Sequence, residues 1–216
     1  MAPVPIMLEM QNLRVLFVGG GTSARQKLIT FLDNGAALKV VSPTLTADIQ
    51  PLARAARFKW IARPYQQDDV RDVQLVMACT SDPQVNDQVV QDARDYGVLA
   101  GNVSHQGPRD MAMMASVHRD PLVLAVSTSG QAPLLAPILA QELATSLDPR
   151  WIHLLVALNE FRQGVVAQYS MEKKRELWRN LKTFPFKAWL EHTQDTWTPN
   201  EWIERVKQAL QDWQRQ

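Results

Sequence analysis

Apolar positions over residues 14–103 follow two alternating patterns. Short continuous runs such as Val15-Leu16-Phe17-Val18 suit strands buried on both faces of a sheet. Between them, apolar residues return at helical spacing: Ala24, Leu28, Phe31 and Leu32 fall at i, i+4, i+7 and i+8, one face of a helix. Gly35 stands where a helix-ending glycine belongs. The pattern predicts strands over 14–18, 38–41, 58–61, 74–79 and 98–103. It predicts one helix after the first strand and a shorter one over 46–56. A third is capped by Ser81 or Asp82, carries Pro83 in its first turn and ends at Tyr96-Gly97. Strands alternating with helices on short connections imply an α/β fold with a Rossmann-type parallel sheet.

Beyond Val103 the pattern changes. Residues 104–110 are polar, and 111–117 and 122–127 read as two further strands separated by His118-Arg119-Asp120-Pro121. From Ala132 the spacing is helical, and Asp148-Pro149 has the form of a helix cap followed by proline in the first turn. Thr198-Pro199-Asn200-Glu201 is a capping box ahead of the stripe Trp202, Val206, Leu210 and Trp213. Six of the seven tryptophans lie at or beyond Trp151. These shifts predict a Rossmann domain over 1–110, a small region of strands and helix over 111–147, and a C-terminal helical domain over 148–216.

Composition narrows the function classes. At 46% hydrophobic over 216 residues the chain can bury a substantial core. A net charge of +1 gives no signature of a nucleic-acid partner. The single cysteine, Cys79, excludes an intrachain disulfide or a multi-cysteine metal site, and fits a reducing compartment. No signal peptide and no membrane span is read from the sequence, so the expected location is the cytoplasm.

The chemistry-bearing motif is Gly19-x-Gly21-x-x-Ala24, between a buried strand and an amphipathic helix. It matches the dinucleotide fingerprint: one glycine for the tight turn, one for close approach of a pyrophosphate, and a small residue for helix–strand packing. The helix N-terminus adds amide donors and partial positive charge for the phosphates. The acid that usually reads the ribose should lie about 20 residues further on. That place holds Val41-Ser42-Pro43-Thr44, with neither an acid nor an arginine, so NAD and NADP are not separated here.

Further motifs join this loop in a fixed order: Leu13–Gly21 with Ala24 and Lys27, Val40-Val41-Ser42-Pro43, Ala78–Asn86, Asn102-Val103, and Pro121–Gly130 with Pro133 and Leu135-Ala136. In these the chain resembles the precorrin-2 dehydrogenase/sirohydrochlorin ferrochelatase family, the N-terminal module of sirohaem synthases. The resemblance covers roughly residues 5–145 and extends less specifically through Glu160-Phe161-Arg162 and Lys174–Leu177. It implies NAD-dependent oxidation of precorrin-2 to sirohydrochlorin, a tetrapyrrole substrate, and a homodimer whose interface is built by residues 111–147. It implies cofactor contacts at Gly19, Gly20, Gly21, Thr22, Ser23, Ser42, Pro43, Thr44, Thr80 and Asn102.

One departure stands out. The family reads Asn-Val-Val-Asp where this chain reads Asn102-Val103-Ser104-His105, and that aspartate is the residue implicated in the family's chemistry. A histidine with an ordinary pKa of about 6.5 can take up a proton at neutral pH, which makes His105 the first candidate base and Asp110 the second. Without the carboxylate no metal site is expected, and iron insertion is not. Arg109 and Arg119, with Ser127, Thr128, Ser129 and Gly130, are the candidate contacts for a carboxylate-rich substrate. The departure also motivates a second reading, a non-catalytic dinucleotide-binding regulatory or scaffold protein of the same fold.

Overall fold

The apolar run at the start of the pattern forms β1 (Arg14–Val18), the middle strand of a five-stranded parallel sheet. β2 (Ala37–Val41) and then β3 (Lys59–Ile61) lie on one side of it, β4 (Leu75–Ala78) and then β5 (Leu99–Asn102) on the other. Val15 and Phe17 pack into a core on one face of the sheet, Leu16 and Val18 into a core on the other. A middle strand covered on both faces has no solvent side, which is why its apolar run is unbroken. The computed structural model describes residues 3–103, 107–164, 166–194 and 196–214. They divide into two compact units, Met1–Met113 and Met114–Gln216.

In the first unit α1 (Thr22–Asp33) turns Ala24, Leu28 and Phe31 onto the sheet, and Phe31 meets Phe17 edge to face at 5.5 Å. It ends where Gly35 takes φ +84°, with the Ala36 amide donating to the Phe31 carbonyl. α2 (Gln50–Arg54) is shorter than the expected 46–56, because residues 46–49 form a separate turn closed by the Ile49 amide on the Thr46 carbonyl. α3 (Pro83–Asp95) starts with the Asp82 carboxylate accepting from the Gln84 amide at 2.9 Å, and stops at Gly97, φ +68°. A 3₁₀ turn over Gln67–Val70, invisible in the apolar pattern, joins β3 to β4. Its Asp69 is held by a two-pronged bond from Arg63 at 2.7 and 2.8 Å.

In the second unit β6 (Ala115–Arg119) and β7 (Leu122–Val126) form an antiparallel hairpin. The expected strand 111–117 is therefore displaced toward the C-terminus. Met111 instead bridges to Gly101 and packs against the first unit's core, as the Asp110 amide bonds the Ala100 carbonyl. His118 and Arg119, expected in the connection, belong to the strand, because Arg119 pairs with Leu122 and leaves a two-residue turn. Polar residues alternate along such a ribbon when one face is open to water. α4 (Leu135–Ser146) lies on both strands and buries Ala136, Ala140 and Ala144. α5 (Arg150–Gly164), α6 (Met171–Leu181), α7 (Phe186–Glu191) and α8 (Pro199–Gln214) enclose a core that includes Phe161, Leu177, Leu190 and Trp202. The capping box is present: the Thr198 amide donates to Glu201 at 2.7 Å and the Glu201 amide returns a bond to the Thr198 hydroxyl at 3.3 Å.

Candidate functional site

Three adjacent glycines follow β1, and each has a different neighbourhood. Gly19 has φ +108°, and a Cβ there would come within 2.6 Å of the Cys79 carbonyl oxygen. At Gly20 a Cβ would run into the Leu45 side chain and stand 2.7 Å from the Thr44 carbonyl oxygen. These two permit the strand-end loops to close on one another. Gly21 meets nothing within 4 Å and has an extended backbone, φ −90°. It is the N-cap of α1 and offers no side chain to the first-turn amides. An open space faced by a helix N-terminus without its own cap is a cradle that a Cβ would fill and that an anionic group fits.

That space belongs to a cavity of about 660 Å³ over the carboxyl ends of β1, β2 and β4, within the size range of small-molecule sites. Its wall is made by residues 19–21, 42–46, 64–65 and 79–81, with Val85 and Gln88 from α3. None of the described lining residues carries a charge. The Ser42 hydroxyl is turned into its own loop, donating to the Thr44 carbonyl at 2.7 Å, and the Trp60 indole N–H holds the Ser42 carbonyl at 3.0 Å. Burial pushes the Cys79 thiol up to about 12, so it stays protonated and inert at neutral pH.

Two groups of supporting residues were not singled out by the sequence. Buried Asn86 fixes the loop after β4: its Oδ1 accepts from the Thr80 amide at 3.0 Å and the Thr80 hydroxyl at 2.8 Å, and its Nδ2 donates to the Thr80 carbonyl at 3.1 Å. Buried Asp92 accepts from the Tyr65 hydroxyl at 2.9 Å and the Gln88 amide at 2.7 Å. Burial first, and then the Asp92 carboxylate, raise the Tyr65 hydroxyl well above the ordinary phenol value. The readable signal was an acid three positions after Val89 and one before Ala93, inside the buried stripe of α3.

Of the predicted contacts, Gly19, Gly20, Gly21, Ser42, Pro43, Thr44 and Thr80 come together in the cavity wall. Thr22 and Ser23 open α1 and are outside the wall. Asn102, at the end of β5, is buried and donates to Asp87 Oδ1 and to the Pro108 carbonyl, each at 3.2 Å. Asp110 is not in the wall either. One of its oxygens pairs with Arg94 at 2.8 Å and the other accepts from the Ala100 amide at 3.2 Å. Arg109 is half-buried and also outside the wall.

Arg119 and residues 127–130 belong to the second unit. The Ser127 hydroxyl accepts from the Ser129 amide at 3.1 Å and the Thr128 hydroxyl from the Ala132 amide at 3.3 Å, while Ser129 and Gly130 have φ +54° and +80°. His105 lies outside the described residues. Among the described residues, no group of histidine, cysteine and acidic side chains is arranged to hold a metal ion. No helix among them is long and apolar enough to cross a membrane.

A family model described as "Putative NAD(P)-binding" matches residues 6–114. Siroheme synthase 1 of Aeromonas salmonicida is 33% identical over 82% of this chain and 38% of its own length. Siroheme synthase of Pseudomonas putida is 35% identical over 82% and 39%, and that of Mannheimia succiniciproducens 31% over 96% and 42%. The chain thus spans about two fifths of the length of these curated relatives. Among solved structures, one titled SirC, precorrin-2 dehydrogenase superimposes with a TM-score of 0.72 and 25% identity, covering 95% of this chain and all of that one.

Proposed function

The chain belongs to the NAD(P)-binding family, and from that premise we propose that it is an NAD-dependent dehydrogenase that oxidises precorrin-2 to sirohydrochlorin, without inserting iron. The observation that carries this reading is the open cradle at Gly21 in a chain that resembles a precorrin-2 dehydrogenase along 95% of its length. A bound nicotinamide dinucleotide supplies the hydride acceptor. Gly21 and the first amides of α1 receive the pyrophosphate. Backbone groups of residues 42–44 serve the ribose, together with the Ser42 hydroxyl oxygen as acceptor, since its proton is committed to the Thr44 carbonyl. The Thr80 turn, braced by Asn86, closes the other side.

Loss of a hydride from the substrate leaves a proton to be taken up. His105 stands in sequence where the family aspartate stands, and is the base in this reading. Asp110 is the weaker candidate, because both its oxygens are engaged. Arg109, Arg119 and the 127–130 turn are assigned to the substrate's carboxylates. The hairpin β6–β7 and α4 are assigned to a homodimer interface, and the reduced, buried Cys79 suits the cytosol.

The test supplies precorrin-2 and NAD+ to the purified protein and follows NADH. Turnover above spontaneous oxidation is expected; none would leave the non-catalytic binding reading. His105→Ala should abolish turnover while leaving NAD+ affinity unchanged, and loss of both together would assign His105 a structural role. A protein-dependent rate of iron insertion into sirohydrochlorin would refute the exclusion of chelatase activity.

A further inference from the structure

One wall of the cavity rests on a carboxylate that no cation among the described residues meets. Asp92 is 3% exposed, and its partners are the Tyr65 hydroxyl and the Gln88 side-chain amide, both neutral. Asp69, the other buried acid of this region, differs, being paired with Arg63. A buried carboxylate held only by neutral donors keeps its field largely uncompensated. Both of its partners line the cavity. With one Gln88 N–H committed to Asp92, the Gln88 carbonyl oxygen and the second N–H are left to bond a ligand.

Position identifies which part of a dinucleotide this wall meets. The pyrophosphate belongs at the glycine loop, and in this type of sheet the adenosine ribose lies past the end of the second strand. Tyr65 follows β3, the neighbour of β2. The end of β2 holds Ser42 to Thr44 in place of the usual acid, and the described lining residues include no lysine or arginine for a phosphate. We propose that Gln88, oriented by Asp92, contacts the adenosine end of the dinucleotide, and that the Asp92 carboxylate behind it selects the 2′-hydroxyl form over the 2′-phosphorylated form. The discrimination made elsewhere by an acid on the ribose is made here from one layer further back. The inference rests on the dinucleotide reading of the cavity.

The test is calorimetric titration of the whole chain with NAD+ and with NADP+. The unsubstituted protein should prefer NAD+. Asp92→Asn keeps the shape and an acceptor for Tyr65 but removes the charge. It should narrow the ratio of the two dissociation constants by about tenfold, through tighter NADP+ binding. Gln88→Leu, at an exposed position of α3, should weaken NAD+ by about fivefold to tenfold and decides the matter if Asp92→Asn fails to fold. NAD+ binding with an unchanged ratio in Asp92→Asn, or unchanged NAD+ affinity in Gln88→Leu, overturns this inference alone. If neither dinucleotide binds the unsubstituted protein, the reading of the cavity falls with it.

Discussion

Gly20 and Gly21 are neighbours whose missing side chains serve opposite ends, and substitution separates them. Alanine at Gly21 fits its extended backbone and touches nothing in the chain, so stability should change by no more than about 1 kcal/mol. The added methyl would occupy the cradle, and NAD+ affinity should fall by about tenfold or more. Alanine at Gly20 would instead strike Leu45 and the Thr44 backbone, costing about 1–3 kcal/mol of stability. Urea denaturation beside NAD+ titration checks both, and equal behaviour of the two variants would remove the distinction. The spacing of the glycines was legible in the sequence because the turn, the strand and the helix each leave a local mark. The place of Asp92 in the α3 stripe was a local mark too, but its bond from Tyr65 was not, since only the fold brings the loop after β3 to that helix.

At the level of elements, the turn between β3 and β4 carries a pH dependence. Burial pushes the Asp69 carboxyl up, but the bonds from Arg63 and from the Gln66 amide outweigh it and hold it below the ordinary carboxylate range. A depressed folded-state value means stability that is fully present above the unfolded value of about 3.9 and lost as pH falls through the lower folded value. Thermal melts across the acid range should show this loss, and Asp69→Asn should flatten it; an identical slope in both would remove Asp69 as the cause. Elements with continuous burial were read well from the pattern, β1 and α1 above all. The 3₁₀ turn escaped because polar side chains hold it. β6 was placed too early because Met111 is apolar for the first unit's core, not for the hairpin.

At the level of the molecule, α4 turns Leu135, Ile138, Leu139 and Leu143 outward, all exposed, while its alanines are buried. Contiguous exposed apolar surface of this kind marks an interaction site. In the proposed homodimer it is covered by the partner, and Ile138→Glu should shift the protein to a monomer in sedimentation experiments. A monomeric parent protein would remove the proposal. The change of character after Val103 was legible in composition, and the chain divides into its two compact units beyond it, between Met113 and Met114.

The uncharged lining of the cavity has a kinetic counterpart. With no lysine or arginine among the described lining residues, the proposed dinucleotide would be held by oriented backbone dipoles, which shed no counterions when a ligand arrives. Its association is then a matter of diffusion and fit rather than long-range steering. Raising ionic strength from about 0.01 M to about 0.15 M shortens the screening length from roughly 30 Å to roughly 8 Å, yet should leave the NAD+ association rate nearly unaltered. A steep fall would mean that charge beyond the wall guides the ligand in.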